Sequence, residues 1–163
     1  MQTVTALGQQ GFELNGEPHV ISGVSPNLTL LQYLRLKHLL GAKEGCAEGD
    51  CGACSVVVIE QDASGQARYR AINSCLVPVA AMIGRAILTV EGIKAGEKCL
   101  HPVQQAMIDQ HASQCGYCTP GIVMSMLEAF MRCDLDSEAK LASQLCGNLC
   151  RCTGYRSIRD AAL

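Results

Sequence analysis

The chain has 163 residues, 48% hydrophobic and 17% charged, with a formal net charge of −2. This suits the packed core of one domain or two small ones and excludes a disordered chain or a polycationic nucleic-acid binder. Trp is absent and aromatic residues make up only 4%, whereas cysteine reaches 11 of 163, too many thiols to serve packing alone.

The segment Met1 to Leu7 has neither a basic leader nor an apolar run, so it does not read as a secretory signal. The longest uncharged stretch, Leu76 to Gly84, is far short of the ~20 residues that span a bilayer. A cytoplasmic protein is expected. In a reducing compartment, closely spaced cysteines are metal ligands or redox groups rather than disulfides, and an odd number of them suits a disulfide framework poorly.

The first half reads as strands and turns. Gln2 to Leu7 and Gly11 to Leu14 are short strand candidates, and Asn15-Gly16 is a hairpin signal with Glu17 to Ser22 as the return strand. Pro18 places that return strand at a sheet edge. Ser25-Pro26 predicts a helix start, Leu28, Leu31, Leu34 and His38 a shared helical face, and Gly41 its C′ residue. Ser55 to Ile59 is an apolar, β-branched run of the kind found in a buried central strand, followed by a turn over Asp62 to Gly65. Arg68 to Ile72 and Ala86 to Glu91 complete the strands, and Gly92 to Glu97 reads as a linker.

The second half changes period. Val103, Ala106, Met107 and Gln110 lie at helical spacing. Thr119-Pro120 opens a helix bearing Ile122, Val123, Met126, Leu127 and Phe130, and Asp136 or Ser137 caps a third with Leu141 and Leu145. Tyr155 to Leu163 is a fourth. The predicted class is α+β, with a strand-rich domain over residues 1–91 and an all-α four-helix bundle over residues 92–163.

Two thiol sets carry the chemistry. Cys46, Cys51 and Cys54, with Cys75 further on, have the spacing of plant-type [2Fe–2S] ligands in a loop rich in glycine. Glycines let such a loop turn several N–H groups inward, and a diiron centre with four thiolates is a dianion that needs those donors. A Zn(Cys)4 site is the alternative, although zinc knuckles usually present two CxxC pairs. The second set, Cys115 and Cys118 with Cys150 and Cys152, suits zinc or an iron–sulfur centre equally when taken by itself. Both of its pairs precede predicted helices, whose N-termini offer unpaired N–H groups to an anion. Cys99, Cys133 and Cys146 remain outside both sets and read as small buried hydrophobes.

These residues resemble a known family. Thr29 to Arg35, Lys43-Glu-Gly-Cys-Ala-Glu-Gly-Asp-Cys-Gly-Ala-Cys54, Asn73-Ser-Cys75-Leu, Leu100-His-Pro-Val-Gln104, Gln114-Cys-Gly-Tyr-Cys-Thr-Pro-Gly121 and Gly147-Asn-Leu-Cys-Arg-Cys-Thr-Gly-Tyr155 resemble the iron–sulfur subunit or domain of the molybdenum hydroxylases, the xanthine dehydrogenase and aldehyde oxidase family. The resemblance implies a plant-ferredoxin-like β-grasp domain and a helical domain, each with one [2Fe–2S] cluster, and so favours iron at the second set. It implies an electron relay from a molybdopterin centre on a partner catalytic subunit, through the Cys115/Cys118/Cys150/Cys152 site and then the Cys46/Cys51/Cys54/Cys75 site, to FAD on another subunit or domain.

By the same resemblance Gln114 binds the pterin and Cys152 is the thiolate nearest to it. No catalytic residue is assigned, because the chain has no acid–base pair or dinucleotide fingerprint, so hydroxylation belongs to a partner. Within the family the Glu60 to Arg70 excursion and the Leu-His-Pro-Val-Gln wording are most similar to the bacterial xanthine dehydrogenase small subunits. Aldehyde, carbon monoxide or N-heterocycle oxidoreductases are the alternative within the family, and a free-standing two-cluster ferredoxin is the alternative outside it. His101 reads as a helix-start residue, and His19, His38 and His111 as structural or surface residues.

Overall fold

The computed structural model describes residues 10–96, 99–133 and 136–163. The strand expected over Gln2 to Leu7 lies outside them. Strand β1 (Gly11–Leu14) turns through Asn15 and Gly16, both at positive φ (54° and 87°), into β2 (Glu17–Val20). Mirror-image turns of this kind match the right-handed twist of the paired strands. A five-stranded sheet of order β2-β1-β5-β3-β4 is completed by β3 (Ser55–Gln61), β4 (Ala67–Asn73) and β5 (Ala86–Leu88). Strand β5 runs parallel to β1 and antiparallel to β3, and Pro18 sits on β2 at the sheet edge as expected.

The first helix differs from its prediction. Helix α1 spans Leu30–Leu36 and starts at Thr29, whose hydroxyl accepts the Gln32 N–H while the Gln32 side chain accepts the Thr29 N–H. This reciprocal cap satisfies two donors at once and displaces the earlier start at Ser25-Pro26. Those residues form a turn, with the Leu28 N–H on the Ser25 carbonyl at 3.0 Å. The chain leaves α1 through His38 at φ 59°, so His38 does not share the helical face and Gly41 is not the C′ residue. Gly41 instead donates its N–H to the Glu91 carboxylate at 2.6 Å, where a Cβ would collide with Val90 and Glu91.

Strand β3 explains the continuous apolar run. Val56 and Val58 face the core formed with Phe12, Leu30, Leu34 and Ile87, whereas Val57 faces the second core with Ile122, Met124 and Met126. A strand covered on both faces has no solvent side to mark with polar residues. The second cover is α3 (Thr119–Arg132), which lies against β3 and β4. The helices therefore share a core with the sheet rather than forming a bundle by themselves. Helix α2 (Pro102–Asp109) and α5 (Arg156–Ala162) pack on each other, and α4 (Glu138–Leu145) packs on α3 after the Ser137 cap. Strand β6 (Lys94–Gly96) lies inside the segment expected to be a linker and pairs with β7 (Cys99–Leu100) just beyond it. Strand β5 ends at Leu88, short of the expected Glu91.

Glu128 of α3 also seals the outer strand: its carboxylate accepts the Ala71 N–H at 3.1 Å and side-chain bonds from Gln144 and Arg132. Phe130, expected in the apolar stripe, is 47% exposed and meets the His101 ring edge-on at 5.1 Å. Met124 and Met126 of the same helix are buried, whereas Met131 is exposed.

His101 caps α2 as expected. Its Nδ1 accepts the Val103 N–H at 3.3 Å, and Gln104 accepts the His101 N–H while donating to the Val90 carbonyl. Burial lowers the His101 pKa below its ordinary 6.5, and only the neutral ring can accept at Nδ1. The unfolded chain binds this proton more readily. The contribution to stability is complete above pH 6.5 and is lost as pH falls from there through the depressed native value. A His101→Asn variant, which caps without titrating, is expected to lose that part of the acid dependence of its denaturation midpoint. An unchanged dependence below pH 6.5 would remove His101 from the account.

Candidate iron–sulfur sites

The first site is a loop between α1 and β3 that folds back on itself. Ala47, Gly49 and Gly52 hold positive φ (58°, 84° and 67°), which turns consecutive amides inward. The Cys46 sulfur accepts N–H groups from Glu48, Asp50 and Cys51 at 3.3–3.4 Å, and the Cys51 sulfur accepts the Cys46 N–H at 3.4 Å. Gly45 is required here because a Cβ would lie 2.7 Å from the Cys51 sulfur.

The loop is anchored at its base. Lys43 donates its N–H to the Ala53 carbonyl at 2.9 Å, and the Asn73 amide reaches the Gly49 carbonyl at 2.5 Å. Ser74, fully buried, donates to the Cys54 carbonyl at 2.7 Å and holds Cys75 beside Cys54, with the two sulfurs 3.3 Å apart.

The second site joins the start of α3 to the approach to α5. Cys115 and Cys118 flank Gly116, at φ 81°, and Cys118 is the N-cap of α3. Cys150 donates its N–H to the Tyr155 hydroxyl at 2.7 Å, its sulfur lies 3.2 Å from the Thr153 hydroxyl, and Tyr155 turns into α5 at φ 65°. The Cys152 and Cys115 sulfurs are 3.6 Å apart, and Cys118 is hydrogen-bonded to Cys150. Cys115 and Cys152 are exposed, as is Gln114 next to them.

The protonation equilibria reflect these surroundings. The Glu48 and Cys51 N–H groups hold the Cys46 thiol down at about 7, because they favour a thiolate. Burial, with Cys54 alongside, pushes Cys75 up to about 11, and burial together with Cys150 pushes Cys118 up to about 12. These raised values belong to thiols packed against other thiols, the arrangement that a bound cation relieves.

The eight thiols thus meet as four pairs: Cys46 with Cys51, Cys54 with Cys75, Cys118 with Cys150, and Cys115 with Cys152. A binuclear centre takes its thiolates two to an iron, whereas a zinc site takes four on one ion. Paired sulfurs suit a centre of two irons and two sulfides at each site, and at the first the inward amides and the Gly45 clearance suit it further.

Cys99, Cys133 and Cys146 are all exposed, contrary to the expectation that they are buried. Cys133 ends α3 in the left-handed conformation at φ 55°, Cys146 is the C-cap of α4, and Cys99 lies on the two-residue β7. None of these positions points a side chain into either core. Of the histidines expected to be structural or on the surface, His19 stacks on Phe12 and its Nδ1 lies 3.3 Å from the Tyr33 hydroxyl, while His38 and His111 take left-handed turns after helices.

Sequence reasoning missed the residues that join the two loops. Asn148 is buried and donates to the Gly52 carbonyl at 3.2 Å, Leu149 donates its N–H to the Cys51 carbonyl at 3.0 Å, and the Tyr117 hydroxyl donates to the Glu44 carbonyl. Each sits within two residues of a cysteine in a motif already singled out. Their partners lie 73 or more residues away, and no local pattern reveals a pairing at that distance.

Comparison with known proteins agrees with this geometry. The 2Fe-2S iron-sulfur cluster binding domain family matches residues 12–80, and the [2Fe-2S] binding domain family matches residues 89–163. Fold and sites therefore define a protein with two [2Fe–2S]-binding regions. The chain is 50% identical over 151 residues to a xanthine dehydrogenase of Drosophila pseudoobscura pseudoobscura and 45% identical over 152 residues to aldehyde oxidase 1 of Rattus norvegicus. These alignments cover 91% and 92% of this chain but 11% of each relative. The crystal structure of quinoline 2-oxidoreductase from Pseudomonas putida 86 superposes with a TM-score of 0.80 at 35% identity, over 94% of this chain and 88% of that one. The chain belongs to the iron–sulfur subunits and domains of the xanthine dehydrogenase and aldehyde oxidase family of molybdenum hydroxylases.

Proposed function

We propose that this chain is the electron-relay component of a molybdenum hydroxylase that acts on xanthine, with residues 1–91 as a β-grasp domain and residues 92–163 as a helical domain. Cys46, Cys51, Cys54 and Cys75 hold one [2Fe–2S] centre, and Cys115, Cys118, Cys150 and Cys152 hold the other. Each centre, when bound, carries one electron at a time between a molybdopterin cofactor and FAD on partner subunits or domains. The observation that carries this reading is the gathering of eight thiols into four pairs.

This chain's own residues supply the environment. The Glu48, Asp50 and Cys51 amides balance negative charge at the first site, and Ser74 and Asn73 fix the loop that presents them. Exposure of Cys115, Cys152 and Gln114 on one stretch of surface supports contact there with the molybdopterin partner, Gln114 bonding the pterin and Cys152 lying nearest to it. The higher identity to a xanthine dehydrogenase than to an aldehyde oxidase supports xanthine as the substrate of the assembled enzyme. No described helix is long and apolar enough to cross a membrane.

Metal analysis tests the proposal directly. Two [2Fe–2S] centres require about four iron and four acid-labile sulfide per chain, with two paramagnetic signals after dithionite. Two zinc ions and a colourless protein would overturn it. Purification with molybdenum- and flavin-containing chains is the expected outcome, whereas a monomer serving as a general reductant would identify a free-standing ferredoxin.

A further inference from the structure

The two thiol loops come from opposite halves of the chain, yet they are built as one piece. Cys51 and Gly52 of the first loop carry carbonyls that accept from Leu149 and Asn148 of the second. Ser55 adds two more donors to the Gly52 carbonyl, its N–H at 3.2 Å and its hydroxyl at 2.8 Å. The backbones touch here: a Cβ on Gly52 would lie 2.2 Å from the Gly147 carbonyl, and one on Gly121 would lie 2.0 Å from the Gly52 carbonyl. On the other side of the first loop, Tyr117, between Cys115 and Cys118, reaches the Glu44 carbonyl two residues before Cys46. The first loop is thus gripped at both ends by residues that neighbour the thiols of the second.

We propose that Asn148 and Tyr117 are positioning residues that lock the two sites together, so that the second loop sets the geometry of the first and the separation between the two centres. This rests on the assignment of a [2Fe–2S] centre to each site. Asn148 is 4% exposed, so its amide has no water to replace Gly52 and the bond is retained in every conformation that keeps the core closed. A carbonyl fixed between Cys51 and Cys54 in turn fixes the peptide planes on either side, and with them the amides aimed at the Cys46 sulfur.

The test uses the iron-loaded protein with Asn148→Asp, which keeps the shape but replaces the donor with a buried carboxylate facing the Gly52 carbonyl, and Tyr117→Phe, which loses only the hydroxyl. Both are expected to shift the paramagnetic signal of the first site and to change its magnetic splitting by the second, although neither residue belongs to the first loop. Iron loss from the first site to a chelator is expected to quicken about fivefold in Tyr117→Phe, the scale of one lost net hydrogen bond, and by more in Asn148→Asp, which also buries a charge. A residue with a purely local role would move the second-site signal alone. That result, in Tyr117→Phe even if Asn148→Asp does not fold, overturns the lock. A wild-type protein that binds no iron overturns the cluster assignment itself, a different outcome.

Discussion

Replacing Cys54 by serine is expected to remove one of two paramagnetic signals and to halve the iron from about four to about two per chain. Cys54 is 2% exposed and its sulfur is 3.3 Å from that of Cys75. Serine is smaller and its hydroxyl is far less acidic than a thiol, so one iron loses half of its pair. Cys118→Ser is expected to do the reverse, because Cys118 pairs with Cys150 at the second site. The surviving signal should be present in both variants but displaced from its wild-type position, since the loops share the Cys51 and Gly52 carbonyls. Quantitative iron analysis with low-temperature spectroscopy of the reduced protein separates these outcomes. Loss of both signals from either variant would contradict the assignment of two self-sufficient ligand sets.

The second large effect concerns a residue with no side chain. Gly121 occupies the first turn of α3, where alanine ordinarily stabilises a helix by up to ~1 kcal/mol. Here the sign reverses. A Cβ would sit 2.0 Å from the Gly52 carbonyl oxygen, 3.0 Å from its carbon and 3.2 Å from the Ala53 Cα, all of them backbone atoms that no rotamer change can move. Relief requires α3 to retreat from the first loop, and overpacking of this kind costs about 1–3 kcal/mol or more. Gly121→Ala is therefore expected to lower the denaturation midpoint and to impair iron retention at both sites. Gly147→Ala, whose Cβ would meet nothing within 4 Å, provides the control and should leave both nearly unchanged. Equal behaviour of the two variants would show that the close packing of loop and helix is not what holds the sites.

Local chemistry was legible wherever the controlling residues are neighbours in sequence. Asn15-Gly16 defines its hairpin because both residues tolerate positive φ, and Pro18 marks its strand as an edge because it lacks a donor. Ser137 and His101 were recognisable as caps from the residues beside them. Thr29 shows how such reasoning fails: two start signals competed within five residues, and the one closed by Gln32 prevails because it satisfies two donors against a weaker turn at Ser25. Cys99, Cys133 and Cys146 misled for a different reason. Cysteine is usually buried when it binds nothing, but these three fall at a strand and two helix ends that face solvent.

The amino-acid order alone determined the eight thiols, their grouping into two sets and the family they resemble, because ligand spacing and glycine placement are short-range requirements of the loops themselves. Tertiary structure alone decided that α3 covers the second face of the sheet, that Asn148 finds Gly52 and Tyr117 finds Glu44, and that the two loops abut through bare backbone. These contacts join residues far apart in the chain, and they exist only once two hydrophobic cores sharing β3 have brought the halves together.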